Sequence, residues 1–143
     1  MREGFLRKIE QRALVCDGAM GTMLYAKGIS LHRCFDEPNL SQPQLVKEVH
    51  LGYVKAGAEV LETNTFGANR FRLAKFELAG KVREINLASA RLAREVAGDD
   101  LYVAGSVGPL GVRLEPLGPT SLAEARPASE EAGERLRTVT PKG

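Results

Sequence analysis

The chain has 143 residues, 43% hydrophobic and 27% charged, and 20 basic against 18 acidic side chains leave a formal charge of +2. This is one domain's length with an ordinary globular balance, enough to bury a core without covalent staples. The near-neutral charge excludes a dedicated nucleic-acid binder and the short apolar runs exclude a membrane span, while two cysteines, Cys16 and Cys34, exclude a disulfide scaffold or a four-cysteine zinc module. A reducing, cytoplasmic setting follows as the expectation.

Residues 1–12 have no apolar h-region and carry Glu3 and Glu10, so they read as a lead-in helix with Phe5, Leu6 and Ile9 on one face rather than as a targeting peptide. Three apolar runs follow, each stopped by turn residues. They are Ala13–Cys16 before Asp17-Gly18, Ala58–Thr63 before Asn64, and Leu101–Val107 before Gly108-Pro109. Such runs read as strands buried on both faces.

Helical patterns lie between the runs. Ser41, Pro43 and Gln44 form a helix start with Ser41 as the cap, and Leu45, Val49, Gly52, Tyr53 and Ala56 recur at helical spacing until Gly57. A shorter helix is expected over residues 69–78, ending at Gly80. A third stripe runs through Val82, Ile85, Ser89, Leu92, Ala93 and Val96 and closes at Gly98. Alternating strands and helices, with strand starts a little over 40 residues apart, predict βαβ units in a parallel sheet. A closed barrel of eight such units takes about 250 residues, so three are expected to leave open sheet edges that favour self-association.

The tail differs. Residues 116–143 hold four of the seven prolines and no aromatic residue, and their bulky apolar residues are Leu117, Leu122, Leu136 and Val139. A helix capped by Thr120 or Ser121 is expected to break at Pro127, leaving residues 126–143 poorly ordered.

Chemistry-bearing residues gather in the loops after the strand ends, the active face of parallel α/β folds. Asp17 directly follows the first run: it can hold an amine, a metal or a proton, or it can cap its own turn. Glu62 closes the second run as an acid–base or amine-binding candidate, or as a buried glutamate satisfied by its neighbours. Thr63, Asn64 and Thr65 supply donors and acceptors for a polar ligand, or plain turn chemistry. The Asp17–Thr22 loop lacks the lysine of a phosphate-binding loop. His50, between Val46 and Val54 at helical spacing, reads as a packing histidine. His32 and Cys34 make a metal pair only if further ligands join them, and Cys16 reads as a buried small hydrophobe.

Three segments in order carry a resemblance: LVCDGAMGT, then NLSQPQLVKEVHLGYVKAGAEVLETNTFGANR, then GSVGP. Together they resemble the homocysteine S-methyltransferase family, in the type found in cobalamin-dependent methionine synthase or in its fusion with methylenetetrahydrofolate reductase. The resemblance covers about residues 10–125 and leaves the family pattern at about Pro127. It implies an α/β fold: residues 13–125 as the first three βα units of a (β/α)8 TIM barrel, truncated and unable to close alone, after the lead-in of residues 1–12 and before an aberrant tail of residues 126–143.

The implied activity is methyl transfer to the zinc-activated thiolate of homocysteine, giving methionine. The implied partners are homocysteine and a methyl donor such as methylcobalamin or methyltetrahydrofolate, with no nucleic acid and no membrane. Carried over by position, Asp17 and Gly18 match the first loop, which binds the amino-acid end of homocysteine. Thr63, Asn64, Thr65 and Phe66 match the second loop, and Ser106 and Gly108 the third; Glu62 joins these as a substrate-binding candidate from its place at the end of the second run. The family's zinc cysteines lie later in the barrel; neither Cys16 nor Cys34 matches one, so no catalytic or metal-binding residue is assigned and the chain alone is expected to be inactive. Two other readings stand beside this one. One is a carboxylate-metal barrel hydrolase or aldolase using Asp17, Glu62 and His50, disfavoured because His50 falls mid-helix and far from a strand end. The other is a non-catalytic binding or interaction module.

Overall fold

The computed structural model describes residues 4–137. In chain order they form α1 (Phe5–Gln11), α2 (Met20–Ala26), α3 (Pro38–Ser41), α4 (Pro43–Lys55), β1 (Val60–Glu62), α5 (Arg70–Ala74), a 3-10 turn (Ala79–Lys81), α6 (Val82–Ala97), β2 (Tyr102–Ala104) and α7 (Leu122–Arg137). No helix among the described residues is long and apolar enough to cross a membrane.

β1 and β2 pair in parallel, Val60 opposite Tyr102, Leu61 opposite Val103 and Glu62 opposite Ala104. Cys16 bridges to Val60, also in parallel, so the three apolar runs lie side by side in chain order with β1 in the middle. Only the middle run has the double-sided burial expected of all three: Ala58, Val60 and Leu61 are buried, whereas Val15 and Cys16 are exposed and Tyr102–Ala104 are half-buried. The physical reason is that β1 has a neighbour on each side, while Cys16 and β2 are each paired on one side among the described residues. The first run is therefore a single bridge rather than a strand, and Cys16 is not the buried hydrophobe that its place in the run implies.

The helices pack by the expected faces. α4 buries Val46, Val49 and His50, and Val46 and Val49 join Leu24, Ile29 and Leu92 in one apolar cluster. α6 buries Val82, Ile85, Ser89, Leu92 and Ala93 and turns out of helix at Gly98, φ +53°. α4 closes at Gly57: with φ +100° there, the Gly57 N–H reaches Val54 O (3.0 Å) and the Ala58 N–H reaches Tyr53 O (3.0 Å).

Three expectations are corrected. Ser41 does not cap α4; it ends α3, and its hydroxyl donates to the Glu37 carboxylate at 2.9 Å. α5 is capped by Asn69, whose Oδ1 accepts from the Arg72 N–H at 3.1 Å, but it ends at Ala74 rather than at Gly80. Glu77 takes the left-handed conformation, φ +61°, and the bonds from Glu77 N–H to Ala74 O and Leu78 N–H to Leu73 O close the helix before Gly80 is reached. The lead-in helix forms as α1, with Phe5, Leu6 and Ile9 exposed and the Phe5 and Tyr102 rings edge to face, their centres 5.3 Å apart.

Nor does Pro127 break α7, which continues to Arg137. Ser121 and Glu124 form a reciprocal capping box, with Glu124 N–H donating to Ser121 Oγ (3.2 Å) and Ser121 N–H to Glu124 Oε2 (2.9 Å). Ala125, Ala128 and Ala132 are buried where α7 packs on α6. Small side chains allow close approach, and that packing offsets the bond lost at proline. The expected disorder of residues 126–143 is thus replaced by helix as far as Arg137. Residues 1–3 of the lead-in and residues 138–143 of the tail, Val139 among them, lie outside the described residues.

Candidate functional site

A cavity of about 620 Å³ opens at the ends of the three parallel runs. Asp17, Gly18, Glu62, Thr63, Asn64, Thr65, Phe66 and Ser106 all line it. Gly108 is the one residue chosen from the sequence that does not; it stands behind the wall, against Phe66.

Asp17 is held by its neighbour strand. Its N–H donates to Val60 O at 2.9 Å, and both carboxylate oxygens accept from the Glu62 N–H at 3.1 Å. The carboxylate is therefore not spent on capping its own turn: α2 starts at Met20, with Ala19 at the N-cap and no side-chain cap. Beneath it, His50 Nδ1 lies 3.8 Å from Asp17 Oδ2, with both side chains almost wholly buried. His50 is mid-helix as expected but not far from a strand end, because α4 runs directly under the Asp17 loop. Tyr53, three residues on, donates from its hydroxyl to Ala19 O at 2.8 Å and fills the space that a side chain at Gly18 would need.

The second loop is tied on every side. Thr63 and Thr65 hydroxyls lie 2.7 Å apart, Thr65 donates to Ser106 O at 2.7 Å, and the Ser106 N–H donates to Thr63 Oγ1 at 3.0 Å. These buried hydroxyls join the second loop to the third. Asn64 donates to Phe35 O (2.7 Å), and Asn39 donates in return to Asn64 O (2.7 Å). Asp36 accepts from the Gly67 N–H at 3.0 Å. Burial raises the Asp36 carboxyl above its ordinary range, against the pull of that N–H. Burial first, and then the neighbouring Asp36, push the Cys34 thiol up to about 11.

Sequence reasoning missed Phe35, Asp36, Asn39 and Arg72. Phe35 and Asp36 line the cavity, Asn39 braces its wall, and the Arg72 guanidinium lies 5.7 Å from the centre of the Phe66 ring. The only available signal was a stretch without helical or strand period between Gly28 and Pro38, since irregular segments of that length in a small domain are commonly functional.

Among the described residues no three His, Cys, Asp or Glu side chains gather as a metal set. His32 is exposed while Cys34 is buried and held as a thiol, so the two do not form the pair that their spacing allows. The residues present do not fit a thiolate zinc site.

The sequence profile of the family described as homocysteine S-methyltransferase matches residues 14–136. That match runs past Pro127, where the sequence alone suggested a departure from the pattern. Methionine synthases of Mycobacterium tuberculosis (strain ATCC 25618 / H37Rv) and Mycobacterium leprae (strain TN) are 38% and 36% identical to the chain over 87% and 89% of its length. The chain spans 11% of each. Among solved structures, the oxidized form of the homocysteine methyltransferase MmuM from Escherichia coli superposes with a TM-score of 0.78 at 28% identity, over 96% of this chain and 54% of that one. The metallated form gives 0.76 at 27% identity, over 93% and 53%. The fold, the loops at the strand ends and these matches agree, and the chain belongs to the homocysteine S-methyltransferase family.

Proposed function

We propose that this chain supplies the part of a homocysteine-methylating enzyme that grips the amino-acid end of homocysteine. Residues 13–125 would be the first three βα units of the (β/α)8 barrel, after the lead-in of residues 1–12. In support, Cys16, β1 and β2 lie side by side in chain order. The outer edges of Cys16 and β2, unpaired among the described residues, would take further strands, from a second copy of the chain when nothing else pairs with them.

The observation that carries the reading is Asp17 in the cavity wall. A carboxylate offers about four lone-pair sites, and the Glu62 N–H occupies only one side of this one. The remaining sites suit an ammonium group, with Glu62 close by as a second carboxylate on the same wall. Gly18, Thr63, Asn64, Thr65 and Phe66 shape the wall, and Ser106 with Gly108 fixes its far side. Homocysteine is the substrate by this reading, the methyl donor is methylcobalamin or methyltetrahydrofolate, and the place of action is the cytoplasm. In the resemblance zinc turns the thiol into a thiolate; the described residues do not hold it, so what they do is bind and orient.

Replacing Asp17 by Asn keeps the shape and removes the charge. A charge-assisted hydrogen bond to a desolvated ammonium is worth about 1.5–3 kcal/mol. Calorimetry should therefore show homocysteine affinity falling roughly ten- to a hundredfold. Binding of a thiol without the amino group should hardly change. Equal loss for both thiols would mean that Asp17 holds the loop and not the ligand.

A further inference from the structure

We propose that His50 is a positioning residue for Asp17: its imidazole donates from Nδ1–H to Asp17 Oδ2 and holds that carboxylate facing the cavity. What Asp17 grips rests on the homocysteine reading above; the contact between the two side chains does not.

His50 is wholly buried on α4, and neither of its ring nitrogens has a hydrogen-bond partner among the described residues. Asp17 is the one carboxylate within 4.0 Å of it there, with Nδ1 3.8 Å from Oδ2. That is roughly 0.8 Å longer than an ordinary N–H···O bond, a gap that small side-chain rotations close. A buried N–H without an acceptor is rare in native proteins, so the position of the imidazole proton matters. With the proton on Nε2, an N–H is orphaned and the bare Nδ1 lone pair points at carboxylate lone pairs. With the proton on Nδ1, the N–H meets an acceptor, and Nε2 is left as a bare nitrogen.

The helix supports the same assignment. His50 and Tyr53 are three residues apart and so share a face of α4. Tyr53 already bonds the Asp17 loop at Ala19 O, and Tyr53 and His50 thus meet that loop two residues apart. Asp17 would then be gripped from one side by the Glu62 N–H and from below by His50. Two donors fix the plane of the carboxylate, which sets the direction of the lone pairs left for an ammonium ligand.

The test uses the full chain in four forms: unchanged, His50→Asn, His50→Leu and Asp17→Asn. The amide nitrogen of Asn stands near the place of Nδ1, so His50→Asn keeps the donor, while His50→Leu keeps bulk and loses it. Long-range nitrogen–proton NMR of the unchanged chain should show His50 protonated at Nδ1, with a signal that moves in Asp17→Asn. A proton on Nε2, or an Nδ1 signal indifferent to Asp17→Asn, would overturn the proposal. In calorimetry His50→Asn should bind homocysteine nearly as the parent does, and His50→Leu about tenfold more weakly, the scale of one hydrogen bond. Equal losses in both variants would also overturn it. Should His50→Leu fail to fold, the spectra and the Asn variant decide the matter. If the unchanged chain shows the Nδ1 signal and its response to Asp17→Asn but takes up no homocysteine, the substrate reading falls and the His50–Asp17 contact stands.

Discussion

A β-carbon on Gly108 would collide with the carbonyl oxygen of Phe66 and stand 2.9 Å from its ring. The third strand-end loop therefore passes the second at a distance that only glycine permits, and the cavity wall depends on that contact. Gly108→Ala must push the Phe66 backbone away, an overpacking that costs about 1–3 kcal/mol. Thermal unfolding should show a lower midpoint. An unchanged midpoint would show that the loops are free to separate.

Asn39 and Asn64 clamp each other across 25 residues of sequence, through Asn39 to Asn64 O at 2.7 Å and Asn64 to Asn39 Oδ1 at 3.2 Å. Asn39→Ala leaves the Asn64 carbonyl buried without that donor, which costs about 1–3 kcal/mol. Denaturant unfolding should give an earlier midpoint with an unchanged slope.

The two cysteines should react in a fixed order. Cys16 is exposed, whereas Cys34 is buried with a thiol pushed up to about 11, so at about pH 8–9 it stays protonated and unreactive. Iodoacetamide labelling read by mass spectrometry should mark Cys16 first and Cys34 only on unfolding. The raised value also sets a direction: the folded state holds a proton that the unfolded chain releases near pH 9.0. This contribution to stability is complete below that pH and is lost as pH rises towards about 11.

Glu59 works at the other end of the pH scale. Its carboxylate pairs with the Arg12 guanidinium and accepts from the Val15 N–H at 3.3 Å, and the Arg12 bond chiefly lowers it from 4.5 to about 2. A depressed carboxyl adds stability above its unfolded value and loses it as pH falls through the folded one. Between pH 4.5 and about 2, Glu59→Gln should flatten the acid limb of a stability–pH curve. The pair is solvent-exposed, so the effect will be small and weakened by salt.

Periodicity and punctuation made the large elements legible. The stripe from Val82 to Val96, the Gly57 and Gly98 stops and the three apolar runs all follow from local rules, and so did the cluster of candidates at the strand ends. Where local rules failed, a tertiary contact had decided the matter. Pro127 is tolerated because alanines dock on α6 and a capping box starts the helix properly. Glu77 accepts a left-handed turn that no residue type announced. Asp36, Asn39 and His50 reach the site across 31, 25 and 33 residues of sequence, and no spacing rule links positions that far apart.

The loop from Glu62 to Gly67 is anchored at almost every residue: Glu62 by Asp17, Thr63 and Thr65 by Ser106, Asn64 by Phe35 and Asn39, and Gly67 by Asp36. The anchors come from three stretches of chain, at Asp17, over residues 35–39 and at Ser106, and fit only one register. Adding or deleting a single residue here would put several partners out of step at once, so drift at this loop must proceed by substitution at constant length. The stretch from Gly28 to Pro38 has to keep pace with it, because two of the anchors reach across from there.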